Sequence, residues 1–158
     1  MSLTNIEIEK YLCPLLGRSF IGVFSKDEIP RISNGTCMIV NIQDAIDENG
    51  HQLPGTHWVA LGRNNGYSWY VDSFGLAPLK SLRGRLPNPI VYSTRAVQDK
   101  NSIKCGYYAA LFCIEVTKSK DKPEDVITQI LNEFNEPNLK NNDKILMSKL
   151  RMYIKRIK

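Results

Sequence analysis

The chain has no Cys-x-x-Cys pair, no internal repeat, no low-complexity segment and no apolar run of about 18 residues, the length a membrane span needs. Each absence removes a class of function. Four single cysteines, Cys13, Cys37, Cys105 and Cys113, lack the spacing of zinc ligands, so no metal centre is expected. No basic segment followed by a hydrophobic stretch opens the chain, which argues against a secretory signal and for an intracellular protein that makes no membrane contact. In a reducing compartment the four thiols are expected to be free, three packed as small hydrophobes and one reactive. The Asn34-Gly35-Thr36 sequon carries no weight there.

What is present fits a single domain over residues 1–158, with 42% of the chain hydrophobic and 23% charged, and a monomer is expected. The net charge is +5, with Lys and Arg in excess at Arg83 and Arg85 and in the tail at Lys149, Arg151, Lys155, Arg156 and Lys158. That balance fits weak, salt-sensitive contact with DNA or another polyanion, without sequence readout, although basic tails are more often solvated helix faces.

Local patterns give the order of elements. Thr4-Asn5-Ile6-Glu7 is a capping box ahead of an amphipathic run, predicting a short helix that ends near Cys13-Pro14. The β-branched run from Cys37 to Ile42 reads as a buried strand, and residues 43–55 read as a loop. His57–Gly62 and Tyr67–Asp72, joined by Arg63-Asn64-Asn65-Gly66, form a hairpin signal. Pro89–Thr94 reads as another strand, and Gly106–Thr117 is apolar nearly all round, as a helix buried mid-domain would be. Two more helices follow, one starting around Asp121 and Pro123 and one over Asp143–Ile157. The expected fold is α+β: a central mixed or antiparallel sheet against a buried helix, with flanking C-terminal helices.

The hairpin sets up chemistry. If paired residue numbers sum to 129, His57 lies directly opposite Asp72; if an Asn65-Gly66 type I′ turn makes the sum 131, the two are diagonal neighbours on the same face. A carboxylate beside an imidazole fixes its tautomer and stabilises the imidazolium, the orienting role in a nucleophile-base-acid triad. A surface histidine meeting a strand-end aspartate by accident would look the same, so a third residue decides. Cys105 directly precedes the buried helix, where backbone N–H groups and the positive end of the helix dipole favour a thiolate and can hold an oxyanion. Gly106 beside it would let a substrate backbone approach closely. Cys113, Cys37 and Cys13 fit packing roles. Gln98, seven residues before Cys105, could donate an uncharged hydrogen bond to an oxyanion.

Gly55-Thr56-His57-Trp58, Asp72-Ser73-Phe74-Gly75, and Val97-Gln98 followed by Asn101-Ser102 and Cys105-Gly106 make the chain resemble the adenovirus-type, adenain-like cysteine proteases, whose fold is related to that of proteases processing ubiquitin-like modifiers. Phe20-Ile21-Gly22-Val23-Phe24 looks like that family's N-terminal motif, so the likeness covers residues 5–117. The resemblance implies a papain-like fold with His57 as base, Asp72 as the acidic partner, Cys105 as nucleophile, Gln98 as oxyanion donor and Trp58 packed near the centre. It also implies an endopeptidase that cleaves capsid or core precursor proteins at Gly-rich sites during virion maturation. Such an enzyme would reside in the virus factory of the host cell, in cytoplasm or nucleus, and in the virion. No cofactor is required, though DNA or a peptide stimulates adenoviral members. The chain departs at Leu86–Tyr92, which lacks the cysteine through which that peptide attaches. Its size is closer to the related proteins of virophages and Maverick-type elements.

Three other readings compete. An isopeptidase for a ubiquitin-like modifier would use the same residue order and react with modifier-derived electrophiles. An acetyltransferase using the same triad would bind coenzyme A tightly. A catalytically silent nucleic-acid-binding domain would bind through the basic tail and leave Cys105 unlabelled by iodoacetamide at neutral pH.

Overall fold

A computed structural model describes residues 3–43, 49–51 and 57–157. Helix α1 (Asn5–Leu16) starts on the expected capping box: Thr4 Oγ1 accepts the Glu7 N–H at 3.2 Å, and the Glu7 carboxylate accepts the Thr4 N–H at 2.8 Å. It does not stop at Pro14 but runs on to Leu16. A proline costs the helix one N–H in its last turn, and continuing past it completes a buried stripe of Ile8, Leu12 and Leu16 at spacings of four.

Five strands follow: β1 (Phe20–Ser25), β2 (Thr36–Asn41), β3 (Trp58–Asn64), β4 (Tyr67–Val71) and β5 (Ile90–Tyr92). They form one sheet in the order β1-β2-β3-β4-β5, with β2, β3 and β4 antiparallel and both outer pairs parallel. The class is therefore α+β with a mixed sheet. Strand β1 has no counterpart in the sequence reading, where residues 20–24 counted only as a motif. Half-buried at the sheet edge and interrupted by Gly22, it lacks the apolar density that marked β2. The expected strand over Pro89–Thr94 is confined to Ile90–Tyr92.

The β3–β4 register settles the hairpin geometry. Ala60 pairs with Val71 and Asn64 with Tyr67, so the numbers sum to 131 and the loop is the two residues Asn65-Gly66. Both have positive φ, 51° and 80°, as a type I′ turn requires.

Alternation along the strands divides the core in two. Cys37, Ile39, Ala60, Trp69 and Val71 face the helices, while Met38, Val40, Val59, Leu61 and Tyr70 pack beneath Ile29, Ile32, Leu82 and Leu86. Leu82 belongs to a single helical turn, α2 (Lys80–Arg83), to which the sequence reading assigned no element. Against the first face lies α3 (Cys105–Lys118), buried at nearly every position as its all-round apolar sequence demands. Helices α4 (Pro123–Asn132) and α5 (Asn142–Tyr153) complete that layer; the last ends at Tyr153 rather than Ile157. Cys105 is thus the first residue of the central helix, and it is itself buried within that core.

Candidate functional site

His57 immediately precedes β3 and Asp72 immediately follows β4, so the register brings them to one end of the hairpin on one face. His57 Nε2 lies 2.9 Å from Asp72 Oδ1, the imidazole 15% exposed and the carboxylate fully buried. Asp72 Oδ1 also accepts the Phe74 N–H at 2.8 Å, which locks the carboxylate to its own turn. Gly75 makes that turn feasible. Its φ is 77°, and a Cβ there would stand 2.6 Å from the Ala96 nitrogen. The tight turn places the Phe74 ring against His57, with centroids 5.0 Å apart.

The third group arrives from the other side. His57 hydrogen-bonds the Cys105 side chain as well as Asp72. With Nε2 taken by the carboxylate, Nδ1 is the nitrogen left for the sulfur. Burial alone would depress the imidazole's proton affinity; the hydrogen bonds and negative charges of Asp72 and Cys105 outweigh it and raise the His57 pKa to about 9. Imidazolium is therefore the form carried at neutral pH.

No side chain caps α3 at Lys104, whose carbonyl accepts the Tyr107 N–H at 3.0 Å and the Tyr108 N–H at 3.1 Å. Trp58 is buried, and its Cδ1 would stand 3.4 Å from a Cβ on Gly106. The space beside Gly106 is filled by Leu3, Trp58 and Ile8 rather than opening to a substrate, so that glycine serves close packing of α1 on α3. The Gly55 and Thr56 of the sequence motif lie outside the described residues, as does most of the 43–55 loop.

Gln98 is buried, with hydrogen bonds at both ends of its amide. Ser73 Oγ donates to its Oε1 at 2.5 Å, and its Nε2 donates to the Ser102 carbonyl at 3.0 Å and hydroxyl at 3.2 Å. Ser102 Oγ in turn donates to Asp143 Oδ1 at 2.9 Å, which Tyr108 Oη also reaches at 2.9 Å. Sequence reasoning singled out none of Ser73, Ser102, Tyr108 or Asp143 for a role. Their link is long-range, and only the serines stand within a quoted motif, where they were given no role.

The remaining cysteines divide. Cys37 and Cys113 are buried partners, each influencing the other's thiol, with Cys113 pushed well up mainly by burial; Cys13 is exposed, not packed as expected, because it lies off the buried stripe of α1.

The basic residues are scattered. Arg83 sits over the Tyr92 ring at 5.3 Å, and Arg85 donates to the Ile29 carbonyl at 3.4 Å. Lys149, 15% exposed, pairs with Glu133 and with Glu115. Arg151, Lys155 and Arg156 are exposed, and Lys158 lies outside the described residues. Among the described residues no group of three or more His, Cys, Asp or Glu is arranged to hold a metal ion, and no helix is long and apolar enough to cross a membrane.

Chemically, the cluster can present a sulfur nucleophile at a helix N-terminus to an imidazolium held from behind by a carboxylate. Neither protein-family models nor curated proteins compared with the chain give a match.

Proposed function

We propose that the chain is a cysteine endopeptidase of the adenovirus type, with the papain-like arrangement of a nucleophile at the head of a buried helix. Its expected substrates are capsid or core precursors cut at Gly-rich sites during virion maturation, within an infected cell or its virions. The observation that carries the reading is His57 gripped between the Asp72 carboxylate and the Cys105 side chain. Cys113, by contrast, is fully buried with no histidine beside it, so no comparable nucleophile competes on the same helix.

In this mechanism the Cys105 sulfur, its proton held by His57, attacks the scissile carbonyl carbon. Negative charge develops on the carbonyl oxygen, where the Gln98 amide and the α3 N-terminus stabilise it. His57 passes its proton to the leaving amine as the C–N bond breaks, leaving a thioester. Water, deprotonated by His57, then attacks the thioester and releases the acid and the free thiol. Asp72 keeps the ring oriented and charged throughout. A cavity of about 380 Å³ lined by Phe74, Gln98, Lys100 and Leu139 meets the site through Phe74, whose ring packs on His57, and would receive a substrate side chain. Each step uses the chain's own side chains; DNA or a peptide would tune the rate rather than supply chemistry.

The test is cleavage of a peptide library by wild type and by Cys105→Ala, with and without DNA, beside an electrophile built on a ubiquitin-like C-terminus. Cleavage by wild type alone is expected. Equal cleavage by Cys105→Ala would overturn the reading, and labelling only by the modifier electrophile would move it to the isopeptidases.

A further inference from the structure

We infer that Asp143, acting through Ser102, is a positioning residue that sets the orientation of the Gln98 amide, and so belongs functionally to the proposed protease site although it sits on the last helix. The inference rests on that protease reading.

A glutamine amide is useful at an oxyanion only if its nitrogen, not its oxygen, faces the developing charge. Here the choice is forced from both ends. The Ser102 carbonyl can only accept, so the nitrogen must turn toward it; the Ser73 hydroxyl then donates to the oxygen on the other side. The Ser102 hydroxyl could in principle donate and compete for Oε1. It is prevented from doing so because its single proton goes to Asp143 Oδ1, while its lone pairs accept from Gln98 Nε2 and from the Lys104 N–H at 3.2 Å. Asp143 is itself fixed by Tyr108 Oη from α3, the helix that Cys105 begins. One carboxylate therefore ties the amide that meets the oxygen to the helix that carries the sulfur.

The adjacent residue acts on the same segment. Asn142, fully buried, donates to the Val97 carbonyl at 2.8 Å and to the Asn135 carbonyl at 3.0 Å, and accepts the Asn135 N–H at 2.8 Å. Consecutive residues in the first turn of α5 thus hold the Gln98 segment on either side, at Val97 and at Ser102.

The experiment measures hydrolysis of the 4-nitrophenyl ester of N-benzoylglycine, which passes through an oxyanion, beside alkylation of Cys105 by iodoacetamide, which does not. Asp143→Ala and Ser102→Ala should each lower kcat by about 10-fold or more, with KM changed less than about twofold and the alkylation rate unchanged. Asp143→Asn, which keeps an acceptor, should lose less. In a Gln98→Ala background the Asp143 and Ser102 substitutions should have no further effect, because the residue they act on is gone. Additive losses in that background, alkylation slowed in step with hydrolysis, or undiminished kcat in the single variants would overturn the inference while leaving the protease reading intact. A wild type that neither hydrolyses the ester nor alkylates faster than a free thiol overturns the protease reading itself.

Discussion

His57 and Asp72 stand 15 residues apart at the ends of strands joined by a two-residue turn, whereas Gln98 depends on Ser73 and Ser102 and, through Ser102, on α3 and α5, with Asn142 lying 45 residues beyond Val97. The first half of the site is a local product of strand register. The second exists only once the C-terminal helices have docked. One half should therefore fail by losing its charge pair, the other by losing its scaffold, and the two failures have different signatures.

The largest effect is expected from Asp72→Ala. It leaves His57, 15% exposed, without the carboxylate that raises its pKa. Breaking a buried charge pair by removing one partner costs about 3–5 kcal/mol. Ester hydrolysis should fall at least about 100-fold, iodoacetamide should react more slowly at neutral pH, and the urea midpoint should drop. A variant with wild-type alkylation would separate Asp72 from the nucleophile.

Gln98→Ala should sharpen the contrast. Loss of an oxyanion donor costs about 2.7–4 kcal/mol in transition-state stabilisation, or roughly 100- to 1,000-fold in kcat. Because the amide makes no contact needed to form the ion pair, alkylation of Cys105 should stay at the wild-type rate. If hydrolysis and alkylation fell together, the two halves would not be separable. Asn142→Ala attacks the same half from its scaffold: it leaves the Val97 and Asn135 backbone groups without their buried partner, at about 1–3 kcal/mol of stability, with kcat reduced and alkylation again spared.

Of the two halves, the first carries the group that titrates between about pH 6.5 and 9. The His57 pKa is raised in the folded state, from 6.5 to about 9, so its stabilising contribution is complete below pH 6.5 and declines as pH rises, vanishing above about 9. The melting temperature of wild type should exceed that of Asp72→Asn most at pH 6, and the gap should close by pH 10, at about 2–4 °C per kcal/mol for a chain of this size. The gap for Asn142→Ala should not close across that range. A wild-type advantage that grew with pH would reverse the sign of the assignment.

The same division explains what the sequence could and could not tell. The hairpin and the pairing of His57 with Asp72 were readable because alternation, an Asn-Gly turn and even spacing act over a few residues. The head of α3 was readable because a run of buried residues begins at Cys105. Strand β1 was missed because a half-buried edge with an internal glycine has little apolar signal, and α1 was cut short because Pro14 outweighed the buried stripe it interrupts. Ser102 stood in a quoted motif but without a role, and Asp143 left no local mark at all: an aspartate in the first turn of a helix is adequately explained by the helix dipole until the fold brings a serine to it.

The smallest expected effect concerns the basic tail, where composition and geometry part. By charge count Lys149 is as good a polyanion contact as Arg151 or Arg156. In the fold its ammonium is held by Glu115 and Glu133, and Glu115, itself raised by burial, depends on that cation. Releasing Lys149 to a phosphate would strand a largely buried carboxylate, a cost that one screened phosphate contact does not repay. Arg151 and Arg156 are exposed. Each phosphate contact contributes about 0.9 to the slope of log affinity against log salt. Measured by anisotropy on a short duplex between 50 and 200 mM salt, Arg151→Gln with Arg156→Gln should therefore reduce that slope by about 2. Lys149→Met should change it by less than about 0.3 while lowering the urea midpoint. A drop of about 1 for Lys149→Met would mean that DNA competes successfully for an internal ion pair, and that binding is coupled to the packing of α5 on α3.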